Sequence, residues 1–166
     1  MRSAITSWLL LLALATTAAA GEMAQIGNVT VHDPWARASL GTTKSSAVYM
    51  TLEIEGDQED RLVAAKTPLA ERAELHTHVM DGGVARMRRV EAVEVAPGAP
   101  TVLQPGGLHL MLTGLKDELT EGATLPLTIT FEKSGSAQIE VPVLGLAAGM
   151  EHSGRHGAHH GQAGTH

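Results

Sequence analysis

Thr124-Leu125-Pro126-Leu127-Thr128-Ile129-Thr130-Phe131-Glu132 sets an apolar side chain at every second position, with a polar residue or proline between. Successive side chains leave a strand on opposite faces, so this segment reads as a β-strand with one face for a core and one for water. The same period of two runs through residues 47–55, where Val48, Met50, Leu52 and Ile54 alternate with Tyr49, Thr51, Glu53 and Glu55. It returns in Ile139, Val141 and Val143, set against Gln138, Glu140 and Pro142. Met50 is assigned to the core by this alternation. From Val29 onward the pattern is that of strands, and the chain is read as all-β. Turn signals at Glu55-Gly56-Asp57, Asp81-Gly82-Gly83, Pro97-Gly98-Ala99-Pro100, Pro105-Gly106-Gly107 and Glu121-Gly122 punctuate it. Their spacing suits a sandwich or barrel of about seven to eight strands. Pro126 and Pro142 lack an amide donor, so an edge or a bulge is expected at each.

The chain opens with Arg2, an apolar run over residues 8–14 and the small residues Ala18, Ala19 and Ala20. This is the pattern of a secretory signal peptide over residues 1–20, with cleavage after Ala20. Ala24 leaves open a later cleavage site or a brief uncleaved anchor. No later stretch approaches the roughly 20 apolar residues of a spanning helix, so a mature chain without stable membrane insertion is expected, exported to the periplasm and monomeric. Residues 21–146 fit one domain, and residues 147–166, rich in Gly, Ala and His, fit a flexible tail. The sequence holds no Cys, which excludes disulfides, thiolate metal sites and a Cys nucleophile. A formal net charge of -6, with one small basic cluster at Arg86, Arg88 and Arg89, excludes a nucleic-acid role.

Chemistry concentrates in two segments. In Glu74-Leu75-His76-Thr77-His78-Val79-Met80, period two puts His76, His78 and Met80 on one face. If Gly82-Gly83 make a two-residue hairpin turn, Met87 comes opposite His78 and diagonal to His76 on that face; a three-residue turn would send it to the other. In Leu108-His109-Leu110-Met111-Leu112, three leucines take one face while His109 and Met111 project outward from the other. A one-residue slip would bury the imidazole and expose the leucines, so the register is well specified. Two imidazoles and two or more thioethers form a soft, uncharged donor set that suits Cu(I) over Zn(II), Mg(II) or Ca(II). His78 and Met80 are secondary candidates, as entry ligands or supporting groups. The tail adds Met150, His152, His156, His159, His160 and His166. Two readings of it stand: capture of Cu(II) or a second copper ion, or a solubilising tail with incidental affinity.

Read together, His76, Met87, His109 and Met111 follow the spacing H-x10-M-x21-H-x-M. This resembles the periplasmic PCuAC-type copper chaperones. The surrounding words Pro105-Gly106-Gly107-Leu108-His109-Leu110-Met111-Leu112, Asp33-Pro34-Trp35-Ala36-Arg37 and Ala47-Val48-Tyr49-Met50 are similar too, and the likeness spans roughly residues 29–143. The resemblance implies a cupredoxin-like Greek-key sandwich that binds one Cu(I) at an exposed site through those four residues. It further implies delivery to a copper-accepting periplasmic or membrane-anchored protein, such as the dinuclear copper subunit of cytochrome c oxidase or a Sco-type protein. Thr77 stands where many members carry a methionine, so one soft donor of those relatives is missing.

An electron-transfer role of the blue-copper kind needs a Cys thiolate, which this chain lacks. No G-x-S-x-G or H-E-x-x-H motif is present, and no enzymatic activity is expected. A copper buffer or resistance protein without a dedicated recipient would use the same donors. A plain sandwich with a metal-binding tail would instead place copper affinity after residue 150.

Overall fold

The computed structural model describes residues 23–148. The expected signal peptide and the tail donors Met150, His152, His156, His159, His160 and His166 lie outside the described residues. Eleven strands follow one another: β1 (Met23–Ile26), β2 (Val29–Arg37), β3 (Ser45–Ile54), β4 (Asp60–Lys66), β5 (Ala70–Asp81), β6 (Val84–Arg89), β7 (Val93–Val95), β8 (Thr101–Leu103), β9 (His109–Leu115), β10 (Thr124–Phe131) and β11 (Gly135–Leu144). Eight have six residues or more, in line with the period-two segments. β1, β7 and β8 are only three or four residues long, too short to show a period, and they raise the total above the seven to eight expected.

Hydrogen bonding links the strands in the order β6-β5-β9-β3-β2-β11-β10-β4-β7, with β1 added on β2 and β8 on β3. The path turns over at β11. Its residues 135–142 pair antiparallel with β10, while Val143 and Leu144 pair parallel with Ala36 and Arg37 of β2. The result is a cupredoxin-like β-sandwich. Its single core draws Val31, Val48, Leu52, Leu110 and Leu112 from one layer and Leu62, Leu127, Ile129, Phe131 and Val141 from the other. Met50 lies in this core, 2% exposed, as its alternation requires. Each such side chain contributes about 1.5–3 kcal/mol on burial, and this holds the strands in register. Pro126 lies outside the Thr128–Phe131 stretch that pairs with β4, so one side of β10 is an edge there.

Two local features position the outer face of the first layer. Gly82 and Gly83 have φ of +59° and +82°, the conformation of a two-residue turn that only glycine adopts at low cost. The β5–β6 hairpin therefore pairs His78 with Met87 and His76 with Arg89. In β2 the register with β3 shifts between His32 and Trp35, around Asp33 at φ +46°. This bulge reverses the alternation: Val31 faces the core before it and Ala36 after it. Trp35 and Arg37 are thereby turned to the outer face.

Candidate metal centre

Strand pairing assembles the outer face row by row. His76 of β5 stands between His109 of β9 and Arg89 of β6; Glu74 stands opposite Met111, and Met111 opposite Ala47 of β3. The ring of His109 has its centroid 5.9 Å from that of His76, 5.2 Å from that of His78 and 6.4 Å from that of Tyr49. Trp35 packs on Tyr49 at 4.4 Å, and the Arg37 guanidinium lies 5.9 Å from the Tyr49 ring centre. A cavity of about 430 Å³ opens here, with His78, Met87, His109 and Met111 in its wall beside Arg37 and Tyr49. His76, Met87, His109 and Met111 are thus gathered on one face, with His78 beside them. His76 is absent from the cavity wall. Met80 is on the same face at the hairpin end, 71% exposed.

The loop between β8 and β9 prepares His109. Gly107 N–H donates to the Gln104 carbonyl at 3.0 Å and Gln104 N–H to the Leu108 carbonyl at 2.8 Å, closing a tight turn through Gly106 at φ +80°. The Gly107 carbonyl then accepts a hydrogen bond from His109 Nδ1 at 2.9 Å. A carbonyl only accepts, so Nδ1 carries the proton and Nε2 keeps its lone pair for a ligand, the arrangement usual for metal-binding histidine. Burial lowers the His109 pKa from the ordinary value; the nearby charges of His78, His76 and Arg37 act in the same direction against the Gly107 bond. The imidazole is accordingly neutral near pH 7 and able to donate. Burial likewise raises the Tyr49 pKa, so the phenol stays protonated.

The reading of His109 as outward-held needs correction. It is on the outer face, as its alternation with the leucines requires, yet only 3% exposed. Tyr49, His76 and His78 close around it from two neighbouring strands, an enclosure that depends on long-range pairing. Access lies instead on the β6 side, where Met87 is 46% exposed. Residues not singled out as functional also belong here. Glu74 Oε2 lies 3.5 Å from His76 Nε2, and its Oε1 lies 3.5 Å from Arg89. Arg37 and Tyr49 border the cavity, and their one visible signal was the pair of words around Trp35 and Tyr49. Among the described residues no three His, Asp or Glu side chains are placed to hold a metal ion by themselves. Two thioethers, Met87 and Met111, line the cavity beside the imidazoles, and donors of this kind fit a soft monovalent ion.

Fold and site define a cupredoxin-like sandwich with an imidazole–thioether face. The family model described as "Putative lipoprotein LpqE-like" matches residues 29–143, nearly the whole described domain, and the chain belongs to this LpqE-like family, of the PCuAC type. The solution structure of apo-DR1885 from Deinococcus radiodurans is 30% identical, with 87% of this chain and 97% of that one covered, at a TM-score of 0.57. The apo PCuAC domain from PmoF1 is 28% identical over 74% of this chain and 98% of its own, at a TM-score of 0.64. A lipoprotein-named sequence of Leifsonia xyli subsp. xyli, Lxx21020, is 27% identical over 128 residues, 76% of each chain.

Proposed function

We propose that this protein is an exported, periplasmic copper chaperone, without enzymatic activity, that binds one Cu(I) through His76, Met87, His109 and Met111 and passes it to a recipient. The observation that carries this reading is the neutral His109 imidazole, its Nδ1 proton committed to the Gly107 carbonyl, in one cavity wall with two methionine thioethers. Thioethers and neutral imidazole favour soft Cu(I), and the Arg37 cation bordering the cavity further disfavours a divalent ion. Relatives support the metal: one solved structure is of the Cu(I) form of DR1885, 32% identical to this chain over 67% of it. The lipoprotein names of the family and of the Leifsonia sequence support an envelope location.

Transfer follows from the asymmetry of the site. His109 is buried while Met87 is half open to solvent, so a recipient's ligand enters the copper shell at Met87 before the buried donors let go. Thiolates bind Cu(I) more strongly than thioethers, so a Cys-bearing recipient draws the ion downhill by stepwise exchange. The copper subunit of cytochrome c oxidase and Sco-type proteins are recipients of that chemistry. The exposed Met87 favours such exchange over sequestration in a buffer. The His-rich tail is a second, Cu(II)-capturing element in this reading. The test is to mix the Cu(I)-loaded protein anaerobically with the apo copper subunit, separate the two and count copper. Movement of about one ion to the recipient supports chaperoning; copper that stays behind while an independent thiol chelator can still remove it contradicts it.

A further inference from the structure

β5 brings two imidazoles to this face, and the H-x10-M-x21-H-x-M spacing uses only the first. The geometry favours a part for the second. His78 shares the cavity wall with Met87, His109 and Met111, whereas His76 does not. Its ring is nearer to His109 than that of His76, 5.2 Å against 5.9 Å between centroids. It is paired directly opposite Met87, the exposed thioether. Its Nδ1 is buried with no hydrogen-bond partner, as is that of His76, whose Nε2 lies 3.5 Å from the Glu74 carboxylate. A buried ring nitrogen without a partner is destabilising, and a ligand in the cavity would offset that cost.

We infer that His78 is a direct Cu(I) donor, exchanging with His76 for the ion held by His109, Met111 and Met87; this rests on the copper reading above. His76, flanked by Glu74 and Arg89, serves as the inner imidazole. His78 serves on the cavity side, towards Met87 and the exposed Met80 at the hairpin end. The ion can thus leave one β5 imidazole while the other still holds it, which keeps it coordinated as it moves to the open side. A cargo ion needs such a path because a bare Cu(I) released in one step would lose all its donors together.

Cu(I) is d10 and diamagnetic, so the ring nitrogens report coordination directly. The experiment records long-range 1H–15N spectra of the histidine rings in the full chain, before and after one equivalent of Cu(I) under anaerobic conditions. The nitrogens of both His78 and His109 are expected to shift. In parallel, His78→Ala is expected to weaken Cu(I) binding about tenfold and His76→Ala/His78→Ala far more, with unfolding midpoints close to the parent because His78 is half-buried near the end of a hairpin. A shift at His109 with none at His78, together with parent-like affinity in His78→Ala, overturns the inference while leaving the chaperone reading intact. No shift at His109 either would overturn both.

Discussion

Two buried polar groups in this sandwich are treated in opposite ways. Asp60, at the start of β4, is 1% exposed, and its carboxylate is fully engaged: Oδ1 accepts from the backbone N–H of Arg61 at 2.7 Å and of Lys133 at 2.9 Å, and Oδ2 from Ser134 N–H at 2.7 Å. It clamps the β10–β11 turn to β4. On the donor face, by contrast, Nδ1 of His76 and Nδ1 of His78 are buried with no hydrogen-bond partner, and His76 Nε2 has only the Glu74 carboxylate at 3.5 Å, although three imidazoles and two methionines crowd together. A buried polar group satisfied from within is a structural device; a cluster left unsatisfied around a cavity is built for something that arrives from outside.

The contrast can be broken from either end. Asp60→Ala leaves buried amides without an acceptor and is expected to lower stability by about 3 kcal/mol or more, read from the urea midpoint, with Cu(I) stoichiometry unchanged in the folded fraction. Met111→Ala is expected to do the reverse. Cu(I) affinity falls about a hundredfold, roughly 2.7 kcal/mol, while stability falls by no more than about 1 kcal/mol because Met111 is only half-buried. Unchanged affinity in that variant would remove Met111 from the ligand set.

Acid sharpens the comparison. Burial by itself would raise the Asp60 pKa, but the hydrogen bonds from Ser134, Lys133 and Arg61 outweigh it and hold the carboxyl below its ordinary 3.8. Its stabilising contribution is therefore present above that value and lost as pH falls through the lower, folded-state pKa. A pH series of urea midpoints is expected to drop more steeply below about pH 4 in the parent than in Asp60→Asn, which has no carboxyl to protonate. Equal slopes would mean that the clamp does not depend on the charge. The smallest effect is expected from Gly106→Ala. A side chain at φ +80° costs about 1 kcal/mol, and the disturbed turn shifts the Gly107 carbonyl that fixes His109, weakening Cu(I) a few-fold.

The donor residues were legible because a strand's period of two carries a face assignment, and Leu108, Leu110 and Leu112 leave no doubt which face His109 and Met111 take. The meeting of His78 with Met87 was legible as well, conditional on the Gly82-Gly83 turn that the structure contains. What could not be read was anything that depends on strands far apart in sequence. The enclosure of His109 comes from Tyr49 on β3 and the histidines of β5. The presence of Arg37 at the cavity comes from the one-residue bulge at Asp33, which reverses the alternation that a regular β2 would follow. The roles of Glu74 and Arg89 beside His76 appear only once β5 is paired on both sides.

The most direct test of the account is an anaerobic Cu(I) titration of the parent, a chain ending at Met150 and His109→Ala/Met111→Ala, with X-ray absorption on each product. The account predicts one tight Cu(I) with nitrogen and sulfur neighbours in the first two and its loss in the double variant. Tight binding that survives in the double variant and disappears with the tail would contradict it, and would make the sandwich a scaffold for the histidines after residue 150.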